Sequence, residues 1–156
     1  MKKIKILYAV SILIAIFNFL GYIFFYTTPE IYNAHKSVED ELTFGSYNLY
    51  INVVQSIAIF IGIFLSIKCL HTIIRSGFFT QASKKFMQQA GYVFFISGLI
   101  MIILDIIRLI DSDGSIAVMW IVLFDFIFTL FGFVVLIVAD MAQTGYQLKS
   151  ENDLTI

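Results

Sequence analysis

Charged residues are scarce in this chain. Of 156 residues only 13% are Asp, Glu, Lys or Arg, whereas 60% are hydrophobic and 17% aromatic. An average soluble domain carries roughly 25% charged residues. A small globule this apolar could not hide its surface from water, because small domains leave much of their surface exposed. Lipid has to be the solvent for most of it. Cysteine occurs once, at Cys69, which excludes an intrachain disulfide and reads as a small semi-polar filler. Proline also occurs once, at Pro29, just past the first apolar run. Chemistry-bearing motifs are missing too: no nucleophile with a base, no glycine-rich phosphate loop and no zinc signature. No enzyme, cofactor, metal centre or direct nucleic-acid binding is therefore expected.

What is present is length in the apolar runs. About 20 apolar residues cross the hydrocarbon core as a helix, and four stretches qualify: Ile4–Tyr26, Tyr47–Ile67, Gly91–Ile110 and Ser115–Val138. Their Ile, Phe and Val content would suggest strands in water, but a bilayer forbids unpaired backbone groups, so they must be helices. The expected fold is one all-α domain, an integral membrane four-helix bundle over residues 1–156. The basic start Lys2-Lys3-Ile4-Lys5 resembles a signal peptide, yet the run is long and closes on Phe24-Phe25-Tyr26 rather than on small residues. An uncleaved anchor fits better.

The net charge of −1 is unevenly spread, and the spread sets direction. The N-terminus carries Lys2, Lys3 and Lys5, and the connection 68–90 carries Lys68, Arg75, Lys84 and Lys85 without an acid. The connection 27–46 holds Glu30, Glu39, Asp40 and Glu41 against Lys36 alone, and Asp111 and Asp113 mark the third. Lysine and arginine stay in the cytosol, so both termini and the 68–90 loop are expected inside and the acidic loops outside.

Between the spans, a short outer helix is expected around Ile31–Val38. Asp111-Ser112-Asp113-Gly114 reads as a turn. Gly77 should break a helix and Thr80 cap a new amphipathic one over Gln81–Ala90, with Phe78, Phe79, Phe86 and Met87 toward lipid and Lys84 and Lys85 at the headgroups. The tail 139–156 should extend the last span as a helix. His35 and Glu39 share helical spacing, with Asp40 and Glu41 following, but a loose divalent site there is not favoured over a plain acidic loop.

Helices in lipid associate through small residues. Gly91, Gly98 and Asp105 lie seven apart, as do Asp125, Gly132 and Ala139, so an antiparallel hairpin is expected to set Gly91 by Ala139, Gly98 by Gly132 and Asp105 by Asp125. Asn48, Asn52 and Gln55 form a polar stripe on the second span. At about 1.5 Å per residue, Asn18, Asn52, Gln55, Asp105 and Asp125 fall at similar depths in the outer half, with Arg108 near the edge as partner to both aspartates. Ionisable groups within a span face the bundle interior. They form either a structural polar network or an outward-facing ligand site for a cation or a small polar molecule.

Two segments carry a resemblance. Ser76-Gly77-Phe78-Phe79-Thr80-Gln81, leading through Lys84-Lys85-Phe86 to Gly91, is one. The terminal Gly145-Tyr146-Gln147-Leu148-Lys149-Ser150-Glu151-Asn152-Asp153-Leu154-Thr155-Ile156 is the other. Both resemble a bacterial membrane family catalogued as domain of unknown function 2975, which is similar in length and in its four spans. The resemblance implies a plasma-membrane component encoded beside a Cro-type helix-turn-helix regulator, with no known activity. The expectation is thus a non-enzymatic sensor or regulatory partner. Its cytosolic docking residues would be Arg75, Phe79, Thr80, Lys84 and Lys85 with Glu151, Asp153, Leu154, Thr155 and Ile156. A small transporter or channel subunit built on Asp105, Arg108 and Asp125 is the alternative, and self-association is open.

Overall fold

The computed structural model describes residues 2–40, 43–111 and 116–153. It contains five helices among them: α1 (Lys2–Thr27), α2 (Pro29–Asp40), α3 (Tyr47–Ser76), α4 (Gln81–Asp111) and α5 (Ile116–Asp153). No strand occurs among the described residues. All but α2 are long and apolar enough to cross a membrane, so the chain is a multi-pass membrane protein. The expected Asp111–Gly114 turn lies largely outside the described residues, as do the His35, Glu39, Asp40 and Glu41 side chains.

Hydroxyls inside these apolar helices are satisfied locally. Ser11, Ser66, Ser97 and Thr129 each donate to the carbonyl four residues earlier, on Leu7, Gly62, Val93 and Asp125. This back-bonding hides a donor that lipid cannot serve.

Breakers act where expected. Gly77 takes a φ of +94°, a region L side chains avoid, and its N–H caps α3 by donating to the Ile73 carbonyl at 3.0 Å. Thr80 then caps α4, its Oγ1 accepting from the Ser83 N–H at 3.2 Å. The amphipathic segment Gln81–Ala90 is helical, but it forms the opening turns of α4 and runs unbroken into the span. Met87 does not face lipid. It is buried, in an apolar core with Cys69, Ile73, Ala139 and Ala142, and Phe78 and Phe86 pack against the same core. A flexible thioether fills the gap between three converging helices better than it decorates a surface.

The α4–α5 hairpin is the tightest pairing in the bundle, and its register departs from expectation. A Cβ on Gly98 would collide with Thr129, one on Gly132 with the Phe94–Phe95 backbone, and one on Gly91 with Leu136. Facing residue numbers therefore sum to about 227, not the 230 that pairs Gly91 with Ala139 and Gly98 with Gly132. The physical reason is complementarity: a glycine facing a glycine leaves a void, whereas a glycine facing a larger residue receives it. Ala139 is fully buried against the apolar core instead.

Helix α3 packs on α4, and α1 packs on α3 and α2 but on neither α4 nor α5 among the described residues. The α1–α3 contact is largely aromatic: Tyr22 and Phe19 meet Phe60, and Tyr8 meets His71. No residue of α1 is buried. Helices α3, α4 and α5, at 30, 31 and 38 residues, exceed what a bilayer needs, and their uninterrupted apolar stretches stop short of the Gly77 end, where Lys68, Arg75, Lys84 and Lys85 lie.

Candidate functional site

Two polar features stand at opposite ends of the bundle. At the Asp111 end, α3, α4 and α5 meet through side chains buried in an apolar setting. Asp105 is wholly buried, Asp125 is 3% exposed and Arg108 5%. Arg108 Nη1 donates to Asp105 Oδ1 at 2.6 Å across one turn of α4, and its Nη2 donates to Asn48 Oδ1 on α3 at 2.7 Å. Asn48 in turn donates to the Gly45 carbonyl at 2.9 Å, which ties the entry of α3 to the cluster. The Phe44 ring covers the guanidinium, 5.7 Å from Cζ.

Gln55 reaches across from α3 to donate to Asp125 Oδ1 at 2.9 Å. Asp125 also neighbours the Asp105 carboxyl. Arg108 is ion-paired directly with Asp105, while it acts on Asp125 through its charge without a hydrogen bond, so the expected pairing with both aspartates is direct for one only. The helical step explains it: Arg108 lies three positions beyond Asp105 on the same face, whereas Asp125 comes from the opposing helix deeper in the bundle. Among the described residues, three buried polar atoms have no hydrogen-bond partner: Asp105 Oδ2, Asp125 Oδ2 and Arg108 Nε.

Asn18 does not join this cluster. Its side chain is exposed and donates to the Ile14 carbonyl in its own helix at 2.9 Å. Asn18 and Asn52 instead line a cavity of about 500 Å³ between α1 and α3, with Tyr22, Ser56 and the Phe17, Phe25 and Tyr26 rings. Tyr22 and Ser56 hydrogen-bond across it. The single expected outer-half site is therefore two separate features. Asn48 is the member that sequence reasoning left out of the ligand set, although its place on the Asn48–Asn52–Gln55 stripe was the available signal.

At the Gly77 end the loop and the α5 extension converge. Phe79 rests on Gly145, where any Cβ would collide with its ring. Around this contact Thr80, Gln81 and Lys84 face Gln143, Tyr146 and Gln147 across a polar cleft of about 220 Å³. Ser83 is buried beneath, donating to the Gly77 carbonyl at 3.0 Å and accepting from Thr80 Oγ1 at 2.8 Å. Arg75, Lys85 and Glu151 are exposed and do not line the cleft. Asp153 ends α5, its side chain outside the described residues together with Leu154, Thr155 and Ile156.

Comparison with known proteins places residues 28–156 in the profile of a family described as protein of unknown function (DUF2975). The matched region begins just after α1. No curated protein and no solved structure matches the chain.

Proposed function

We propose that this chain, which belongs to the DUF2975 family of proteins of unknown function, is a non-enzymatic regulatory component of the bacterial plasma membrane. Its Gly77 end faces the cytosol and docks a helix-turn-helix regulator. The orientation rests on Lys68, Arg75, Lys84 and Lys85 clustering at that end, while Glu30 and Asp111 lie at the other.

The observation that carries the docking reading is the seat of Phe79 on Gly145. It joins two segments far apart in sequence into one surface with a lysine, amides, a hydroxyl and a phenol around a cleft. Such a surface offers directed hydrogen bonds rather than an apolar face, as suits a partner that must also stay soluble alone. Regulation would follow if a change in the bundle altered the pairing of α4 with α5, since both sides of the cleft ride on those helices.

The test is capture of a Cro-type helix-turn-helix regulator by the intact, detergent-solubilised protein. Gly145→Leu displaces Phe79 and is expected to abolish capture while leaving the unfolding midpoint unchanged. Deletion of Glu151–Ile156 should weaken it as well. Failure of the wild type to capture the regulator, or an extracellular signal from a reporter fused at Ile156, would refute the reading. The buried Asp105, Arg108 and Asp125 favour a second reading, a small transporter or channel subunit, which ion flux into liposomes carrying the purified chain would reveal.

A further inference from the structure

The polar cluster at the Asp111 end does not balance. Asp105 and Asp125 bring two carboxyl groups, and among the described residues Arg108 is the one cation beside them, ion-paired to Asp105 and acting on Asp125 by its charge. With both acids ionised the cluster would keep one negative charge among apolar side chains, where lipid offers no counter-charge. Hydrogen bonds are missing in the same place. Each carboxyl uses Oδ1, toward Arg108 or Gln55, and each leaves Oδ2 buried with no partner. One proton between these two neighbouring acids would remedy the charge and satisfy both oxygens together, while the Arg108 Nε donor, also buried without a partner, is a separate shortfall.

We propose that Asp105 and Asp125 share a single exchangeable proton between their free oxygens. The proton supplies the missing donor and the missing positive charge at once. A metal ion fits less well, because hard cations take six or more oxygen ligands. Among the described residues no third acid, histidine or cysteine joins the pair. Among the described residues, α3 faces the pair with the amides of Asn48 and Gln55, α4 with Arg108, and Thr129 on α5 is committed to the Asp125 carbonyl. Helix α1, among the described residues, packs against neither α4 nor α5.

The site lies close to one end. Asp105 is six residues from the end of α4, about 9 Å along the axis, so that side is the nearer source of a proton. Gln55, Asp105 and Asp125 come from three helices, so the proton couples acidity there to how α3, α4 and α5 sit together. This stands apart from the docking proposal and survives its failure.

The sign follows from linkage. A folded bundle that keeps a proton the unfolded chain has released loses stability as pH rises. The experiment uses the full chain in liposomes with choline chloride as the salt. Infrared difference spectra across about pH 5 to 9 should show the carbonyl band of a protonated carboxyl, and the melting temperature should fall as pH rises. Asp125→Asn leaves Asp105 and Arg108 as a neutral pair, so it should fold, lose the band and melt independently of pH. Asp105→Asn provides a second variant in which the band should also be lost. A wild type without the band, or a band unchanged in both variants, overturns the proposal. So does stabilisation by sodium chloride with no band in choline, which would assign the pair to a metal ion.

Discussion

The two ends of this bundle are built on opposite rules. At the Asp111 end the helices are joined by a guanidinium, two carboxyls and two amides. At the Gly77 end they are joined by Cys69, Ile73, Met87, Ala139 and Ala142. The usual arrangement in water is inverted across the spans: polar contacts lie among apolar surroundings, and the apolar core lies where the charged residues of the loop collect. The solvent accounts for it. Lipid tails compete with leucine on equal terms, so inside a bilayer helices need polar bonds and close packing to find one another. Where the helices overshoot the bilayer, water returns and burial of apolar side chains drives association again.

That contrast can be broken most severely at Arg108. Arg108→Ala leaves Asp105 without its ion pair and Asn48 without its donor, and breaking a buried pair costs about 3–5 kcal/mol. Unfolding in mixed micelles should show that loss. A change below about 1 kcal/mol would mean the cluster behaves as an exposed pair. Next comes Ile73→Ala, which opens the apolar core at the Gly77 end and should cost about 2 kcal/mol. The decisive feature is location: cysteine labelling at Ser76 should speed up in this variant while labelling at Asn48 stays slow. If both ends loosen together, the two cores are one cooperative unit and the contrast fails. The mildest expected effect is that of Thr80→Ala, which removes the N-cap of α4 for about 1 kcal/mol. Hydrogen exchange should quicken over Gln81–Lys84 and nowhere in the Asp111-end cluster.

How far the sequence alone could lead depends on the kind of signal. Helix punctuation was legible, because Gly77 and Thr80 act through their own backbone and side chain and need no partner. The apolar spans were legible for the same reason, since length against bilayer thickness is a local property. The polar cluster was half legible. Asp105, Arg108 and Asp125 had to face inward, but which oxygen meets which donor depends on a register that small residues alone do not set. Gly98 receives Thr129 rather than Gly132, a choice made by the volume of the residue opposite. Asn18 shows the other limit: a lone amide in a span can be satisfied by its own helix, at Ile14, without ever needing the bundle. The contact between Phe79 and Gly145 had no sequence signal beyond lying in two recognisable segments, since nothing in either predicts that they touch.

One feature of the fold bears on how freely the parts can move. Helix α1 contributes no buried residue, meets α3 largely through rings, and lies outside the stretch matched to the family. Every hydrogen bond of the Asp111-end cluster and every fully buried member of the Gly77-end core belongs to the chain after it. The first helix is therefore a tether more than a pillar. It can tilt with the thickness of the surrounding lipid, or lean away from its neighbour, while the three helices that hold the chemistry keep their grip on one another.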